Sequence, residues 1–388
     1  MLGQRGVLLR RIHVVSIVLA LTALLNLTAP AWAEDEAPAP VEGAGGEGGV
    51  LLRSPLDWFV IPLVGFTPDT SVALATIGIV RFRFLEEPLT SRPSTIALLL
   101  TWTFNNQILT QLGTKLYFDN ERTYLRWETI FEDWPELFFG VGPDTPIEAR
   151  EALQRRNFVL KAHLRRSILD RRLYVGFIQD FSATEISSPQ PGGLIDRGLV
   201  PGARGGLRSG LGLSLTFDSR DSDVFPLEGA FVKLTSTLFS RRLASDFDGE
   251  TTQLDARWFF EVAQEHVMAL QLIATMNSGE IPFFAMAELG GMNQSRGLLK
   301  GRFRDKHGLV GQVEYRSPYV WRISGVLFGS AGQVAPDLAA LGLETIKVAG
   351  GGGLRFGVNP DEGINMRLDF GVAQDGSFGA YLGFTEAF

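Results

Sequence analysis

Apolar and polar residues alternate with a period of two in many short segments of this chain. From Ile96 to Phe104 every second residue is large and apolar, and the same period recurs in 157–165, 210–218, 254–262 and 364–371. Strict alternation over about nine residues predicts β-strands with one face toward an apolar medium and one toward a polar one. The length suits a tilted strand that crosses a membrane.

The alternation predicts sixteen strands, an even number as in bacterial outer-membrane barrels. We therefore expect an all-β fold, a closed antiparallel transmembrane β-barrel of about 16 strands. In chain order the predicted strands are 57–65, 72–84, 94–105, 107–118, 123–132, 156–168, 172–182, 209–218, 229–239, 251–262, 266–277, 307–317, 320–333, 346–358, 363–373 and 377–388.

The connections between these strands alternate in length, which is a second and independent indication. One set is short, such as 119–122, 169–171, 263–265 and 359–362, and the other contains 133–155, 183–208, 240–250, 278–306 and 334–345. Short periplasmic turns and long extracellular loops are typical of outer-membrane barrels. A soluble β-sandwich gives no reason for this alternation.

The N-terminal region has the pattern of an export signal. Arginines precede an apolar run from Ile12 to Leu27, and Ala31-Trp32-Ala33 follows. We predict a signal peptide over 1–33, a flexible Ala, Pro, Gly and acid-rich linker over 34–50, and the barrel over 51–388. A membrane anchor is the alternative, but the run is short and is interrupted by His13 and Asn26.

Composition narrows the chemistry. The chain has no cysteine, four histidines and a net charge of −7, which argues against disulfides, thiolate metal sites and nucleic acid as a partner. It contains neither His-Glu-x-x-His nor Gly-x-Ser-x-Gly, so we expect no enzyme, metal or cofactor. The alternative is a barrel lipase that uses Ser and His, and His163 is a histidine of lumen parity. Outer-membrane lipid and lipopolysaccharide are the expected surroundings.

The last residues carry a third indication of a barrel. Phe388 shares its parity with Phe384 and with earlier apolar residues of the last predicted strand. This pattern resembles the C-terminal signal by which outer-membrane barrels are recognised for insertion, although Glu386 breaks the parity. The alternative is an ordinary last strand whose terminal Phe lies in the interfacial aromatic girdle.

Several motifs in the second half together resemble the bacterial surface-antigen family, which is the barrel of the BamA/TamA superfamily. They comprise Leu215–Asp221 with Phe225-Pro226 and Gly229, Gly290-Gly291, Ser295–Gly297, Gly301–Asp305, Glu314–Arg316, Gly353–Phe356, Arg367–Gly371 and the terminal Phe388, with Phe139–Thr145 before them.

The resemblance implies that the sixth extracellular loop folds back into the lumen and that its tip, Arg296-Gly297, contacts acidic residues there. A guanidinium in a partly dehydrated lumen needs carboxylate partners. The charged residues of lumen parity are the candidate partners; the alternative is that they are ordinary charges of a water-filled pore. They are Asp369, Glu314, Arg367, Arg316 and Asp218.

Two departures from the family pattern matter. The predicted mature chain leaves no room for the periplasmic POTRA modules of the best-known members, and Ser330 stands where the family normally carries Asp. Asp369 or Glu314 must then serve as the acidic partner of Arg296. A separate periplasmic partner protein would be needed to replace the POTRA modules.

Two functions are compatible with these features. The resemblance favours a factor that assists insertion or export of outer-membrane or surface proteins, with client polypeptides as partners. The alternative is a passive pore-forming or structural barrel. Pro62 in the first strand and Gly376, Gly379 and Gly383 in or next to the last predict a weak seam, since proline lacks an N–H and glycine weakens strand interiors.

Overall fold

The structure is a computed structural model that describes residues 52–68, 70–85, 87–88, 91–222, 225–359 and 364–388. The predicted signal peptide, 1–33, and linker, 34–50, lie outside the described residues.

Eighteen strands are present in the described residues, and sixteen of them form one closed antiparallel barrel. Each barrel strand pairs with its neighbours in sequence, except that β11 pairs with β14, and β1 closes the barrel against β18. The strands are β1 Leu52–Thr67, β2 Ser71–Phe84, β3 Ser94–Thr103, β4 Ile108–Phe118, β5 Thr123–Phe138, β6 Glu151–Leu169, β7 Leu173–Ser187, β8 Gly205–Asp218, β9 Gly229–Phe239, β10 Gly249–Ala263, β11 His266–Gly279, β12 Ala287–Leu289, β13 Phe303–Asp305, β14 His307–Arg316, β15 Ile323–Ala335, β16 Lys347–Asn359, β17 Ile364–Ala373 and β18 Phe378–Phe384.

β12 and β13 pair only with each other and form a small hairpin within the connection between β11 and β14. Short 3₁₀ helices occur at Ile147–Ala149, Arg241–Leu243, Phe283–Ala285, Leu338–Ala340 and Leu343–Thr345. Within the described ranges, no helix is long and apolar enough to cross a bilayer.

The predicted two-residue period separates the two faces of the wall. On β8, Leu211, Leu213 and Leu215 are exposed on the outside, whereas Ser214 and Thr216 are buried on the inside. An apolar outer face and a polar inner face are what a transmembrane barrel requires. The predicted fold class is confirmed.

The long and short connections lie at opposite ends of the barrel, here named the loop end and the turn end. Two predicted loops are shorter than expected, because β5 and β6 continue into both ends of 133–155, and β7 and β8 into both ends of 183–208. The alternation is lost there because outward positions become charged. Arg156 Nε, for example, donates to Asp133 Oδ2 at 2.9 Å. These extensions carry polar groups on both faces, as water on both sides permits.

The last predicted strand, 377–388, is also shorter in the structure. β18 ends at Phe384, Thr385 has a positive φ of 59°, and the chain turns into the lumen. Phe388 is buried against Phe259 and Ala269 of the inner wall. Phe388 therefore does not lie in the outer aromatic girdle, and parity cannot be extended past Phe384.

The seam between β1 and β18 is short. Among the described residues these antiparallel strands share one registered pair, Phe66 with Leu382. In this register Val64 would face the last residue of β18, while β1 continues to Leu52. Pro62 thus lies beyond the end of β18, and the short pairing arises from the early end of β18.

Candidate functional site

The connection between β11 and β14, residues 280–306, enters the barrel and is called the docking loop below. Its β12–β13 hairpin packs in an apolar cluster with the inner wall, in which Leu289, Leu298 and Phe303 contact Val310 and Val334. This cluster removes apolar side chains of the loop from water and positions the loop tip inside the lumen. The arginine at that tip is only 2% exposed.

Arg296 bridges two carboxylates on different strands. Its Nη1 donates to Asp369 Oδ2 on β17 at 2.6 Å, and its Nη2 donates to Glu314 Oε2 on β14. Both acids are fully buried, and the guanidinium lies 3.6 Å from the ring centre of Phe328. A buried guanidinium is tolerated only when charge-assisted hydrogen bonds replace its hydration. The predicted residues Arg296, Asp369 and Glu314 therefore meet at one point.

A second arginine extends the cluster toward the end of the chain. Arg355 on β16 donates from Nη1 to Asp369 Oδ1 at 2.6 Å and from Nε to Glu386 Oε2 at 2.7 Å. Glu386 also accepts from Asn365 Nδ2 at 2.7 Å. Glu386, the acid that interrupts the apolar parity of the last predicted strand, therefore lies in the lumen and is hydrogen-bonded to the same cluster.

A third arginine completes the cluster on the other side. Arg316 donates from Nε to Glu314 Oε1 at 2.9 Å and from Nη2 to the main-chain oxygen of Phe388 at 2.9 Å. The tip of the docking loop and residues 385–388 are thus held by three arginines, which share the carboxylates of Asp369 and Glu314. We call Arg296, Arg316, Arg355, Glu314 and Asp369 the lock cluster.

The backbone of the loop tip lies directly against β17. Gly297 has a φ of 118°, and its N–H donates to Tyr381 Oη at 3.0 Å. A Cβ at Gly297 would come within 2.8 Å of the Val372 backbone, and one at Gly371 within 2.5 Å of the Arg296 carbonyl oxygen. Glycine is required on both sides of this contact, because only glycine allows the backbones to approach so closely.

Two of the predicted lumen partners have other roles. Arg367 donates to the carbonyl oxygen of Met292 at 3.1 Å and to Asn293 Oδ1 at 2.8 Å, so it holds the loop backbone. Asp218 does not join the site, because it pairs with Arg220 at the turn end of β8 at 2.9 Å. Parity placed Asp218 on the inner face correctly but gave no information on its height or position around the barrel.

Sequence reasoning missed Phe328, Arg355 and Tyr381. All three side chains are on inward positions, so the two-residue period could have indicated them. Arg355 also lies in a motif that carries the family resemblance. Ser330, at the position where an Asp was expected, donates its hydroxyl to the Ala349 carbonyl oxygen at 3.3 Å. Phe328, two residues earlier, is the β15 side chain that contacts Arg296.

His163 lies in the lumen at a distance from the lock cluster. Its Nε2 is 2.6 Å from Ser214 Oγ. In the described part of the chain no carboxylate is hydrogen-bonded to its other ring nitrogen, as a Ser-His-acid arrangement requires. The pair by itself gives no argument for hydrolytic chemistry.

Comparisons with known proteins agree with this architecture. No curated protein sequence matches the chain. Among solved structures, BamA from Haemophilus ducreyi lacking POTRA domains 1–3 is similar with 12% identity and a TM-score of 0.59, covering 86% of this chain and 70% of that one. CdiB from Acinetobacter baumannii (10% identity, TM-score 0.53, 87% and 66%) and CdiB from Escherichia coli (11%, 0.55, 85% and 63%) are also similar.

These likenesses show the fold, and the chain spans about two thirds of the length of those proteins. The family itself is shown by sequence, because the model of the Omp85 superfamily domain matches residues 169–374, more than half of the chain. With its sixteen-stranded barrel and its arginine-tipped lumen loop, this chain belongs to the Omp85 superfamily of bacterial outer-membrane barrels.

Proposed function

We propose that this barrel assists the insertion or export of outer-membrane or surface polypeptides. The observation that carries the proposal is the combination of the buried lock cluster, which holds the docking loop, with the short pairing between β1 and β18. The docking loop is fixed beside β17 and β18 by Arg296, while β18 shares one registered pair with β1 in the described residues. A wall that can open beside an internally braced loop suits a protein that handles polypeptides.

The lock cluster supplies the rigid part of this arrangement. Arg316 and Arg355 each connect a carboxylate of the lock to residues 385–388, so the end of β18 is braced from inside the lumen. Buried ion pairs of this kind favour one defined arrangement over others. We infer that the seam opens without releasing the loop.

The alternative function is a passive or structural pore. It predicts that loss of the protein changes solute permeability alone, whereas the proposed function predicts the loss of particular outer-membrane or secreted proteins. Quantitative proteomics of outer-membrane and culture fractions after gene deletion distinguishes the two.

The experiment includes complementation with Arg296→Ala and with Arg257→Ala. Arg257 is a matched control, since it is a lumen arginine paired with Asp255 at 2.7 Å outside the lock cluster. We expect Arg257→Ala to restore the proteome and Arg296→Ala to restore it incompletely. An unchanged proteome in the deletion strain, together with altered solute uptake, would replace the proposal by the pore.

A further inference from the structure

The inner faces of β1, β2 and β3 are largely apolar, and Leu109 of β4 extends this surface beside Gln111, although the lumen of an outer-membrane barrel is ordinarily polar. On β2, alanines and isoleucines occupy the four successive inward positions from Ala73 to Ile79, and the register with β1 and β3 places further aliphatic side chains beside them. We call this surface the apolar wall. Its larger members are Ile61, Leu63, Ile77, Ile79, Leu99 and Leu109.

The apolar wall is not covered by the docking loop. All six of these side chains are partly exposed, whereas the loop packs on β14 and β15 across the lumen. None of the three buried clusters of the described residues includes a side chain from β1 to β4. Because exposed apolar surface of this extent is unfavourable in water, it indicates an apolar occupant.

Basic residues follow the apolar wall toward the turn end. They face the lumen three or four residues from the turn ends of β2, β4, β5, β6 and β9. Arg126 is 3.5 Å from Glu128, and the strand register places Asp57 opposite Arg81 and Asp255 opposite Lys233, so the five basic residues lie among three carboxylates and keep a positive excess. We call this set the basic belt. Its members are Arg81, Lys115, Arg126, Arg165 and Lys233.

The order of the two surfaces identifies the chemistry of the occupant. From Ala73 to Arg81 the strand spans about 26 Å, at about 3.3 Å per residue. One leaflet of a bilayer core is about 15 Å thick, so an acyl chain fits along the wall even on a tilted strand. The basic belt then lies where an anionic headgroup would be, and arginine suits phosphate.

The position of the seam provides an entry path. β1 carries one edge of the apolar wall, and it continues toward the turn end past the last residue of β18. In the periplasmic leaflet, lipid tails point away from the periplasm and headgroups toward it. A lipid moving sideways past β1 would meet the wall with its tails and the belt with its headgroup, without turning over.

We propose that the apolar wall and the basic belt form a lumen site for an anionic phospholipid of the periplasmic leaflet. A client polypeptide is a different occupant, and the order of apolar and basic surfaces favours the lipid. This site is independent of whether the barrel handles polypeptides.

The test uses the full protein in nanodiscs that contain phosphatidylglycerol with a photoreactive acyl chain, followed by mapping of the labelled residues. Outward residues of all strands must be labelled. The proposal predicts additional labelling of inward Ile77, Leu99 and Leu109, and no inward labelling on β14 to β17. Labels confined to outward residues would overturn it.

One variant and one control sharpen the result. Leu99→Asn should reduce the inward labels about tenfold, as expected for losing the burial of one leucine-sized side chain. Ile178→Asn, which changes an inward isoleucine of β7, should leave them unchanged. Heat-modifiable migration in gels establishes that each variant forms the barrel.

The headgroup is tested with Lys115→Glu combined with Arg126→Glu. This variant should reduce labelling by the phosphatidylglycerol probe to the level of an equivalent phosphatidylcholine probe. Equal inward labelling by both probes in the wild-type protein would contradict the anionic headgroup. A photoreactive residue at position 99 that captures polypeptide in cells, with no inward lipid labels, would assign the wall to a client instead.

Discussion

Replacement of Arg296 by alanine removes the one side chain that joins the docking loop to both acids of the lock cluster. Asp369 and Glu314 then stay buried, but each keeps an arginine, Arg355 at 2.6 Å and Arg316 at 2.9 Å. Truncating one side of a buried ion pair costs about 3–5 kcal/mol, and the surviving partners place this case near the lower end, at about 3 kcal/mol. Loss of the contact with Phe328 adds about 1 kcal/mol.

The sum of about 4 kcal/mol increases the population of the released loop on the order of 1,000-fold, since about 1.4 kcal/mol corresponds to a factor of ten. Hydrogen exchange in nanodiscs measures this directly, because the N–H of Gly297 is buried and bonded to Tyr381 Oη. We expect faster exchange and protease cleavage across 287–305 in Arg296→Ala, with the barrel strands unchanged. Arg257→Ala is the control.

If exchange across 287–305 is the same in wild type and Arg296→Ala, the ion pairs do not hold the loop. The apolar cluster around Leu298 and Phe303 would then be sufficient. Arg296→Lys refines the test, because lysine keeps the charge but cannot reach two carboxylates with a planar fork. Its exchange should fall between the other two proteins.

Three further predictions follow from the geometry. Gly371→Ala should weaken loop docking because its Cβ would meet the Arg296 carbonyl oxygen, whereas Gly342→Ala, with open space around it, should have no effect on exchange across 287–305. Tyr381→Phe should destabilise the loop tip by about 1–3 kcal/mol, because the buried Gly297 N–H loses its acceptor; unchanged exchange at Gly297 would refute this. A cysteine at Pro146 should react with an impermeant reagent on intact cells and one at Arg172 should not, and equal labelling would reject the topology.

The two-residue period was sufficient to predict the barrel, the number of its strands and the inward face of the residues that form the lock. The family resemblance supplied Arg296, and Asp369 and Glu314 were predicted because a guanidinium in the lumen needs carboxylate partners on inward positions. The structure adds Arg355, whose inward position is as evident in the sequence as that of Arg367. Only the three-dimensional arrangement shows which of the two reaches Asp369.

Other features could not be derived from parity. A period of two distinguishes inside from outside but does not give the height of a residue or its position around the barrel, and Asp218 is the example. It also fails where a strand ends: Glu386 and Phe388 looked like members of the last strand, yet the positive φ of Thr385 directs both into the lumen. Strand extensions such as 133–138 escaped prediction because water lies on both of their faces.

A crosslink across the seam between β1 and β18 tests the proposed function most directly. Phe66 and Leu382 are directly opposite in the antiparallel register, which suits a disulfide between cysteines introduced at these positions, and the chain has no native cysteine to interfere. The double variant Phe66→Cys, Leu382→Cys is produced in a deletion strain. The rate at which newly made outer-membrane and secreted proteins reach their destination is then measured under oxidising and under reducing conditions. We predict loss of this activity when the disulfide forms and recovery on reduction, with either single cysteine variant active throughout. Full activity with the crosslink complete would show that the seam stays closed, and would contradict the proposed handling of polypeptides through it.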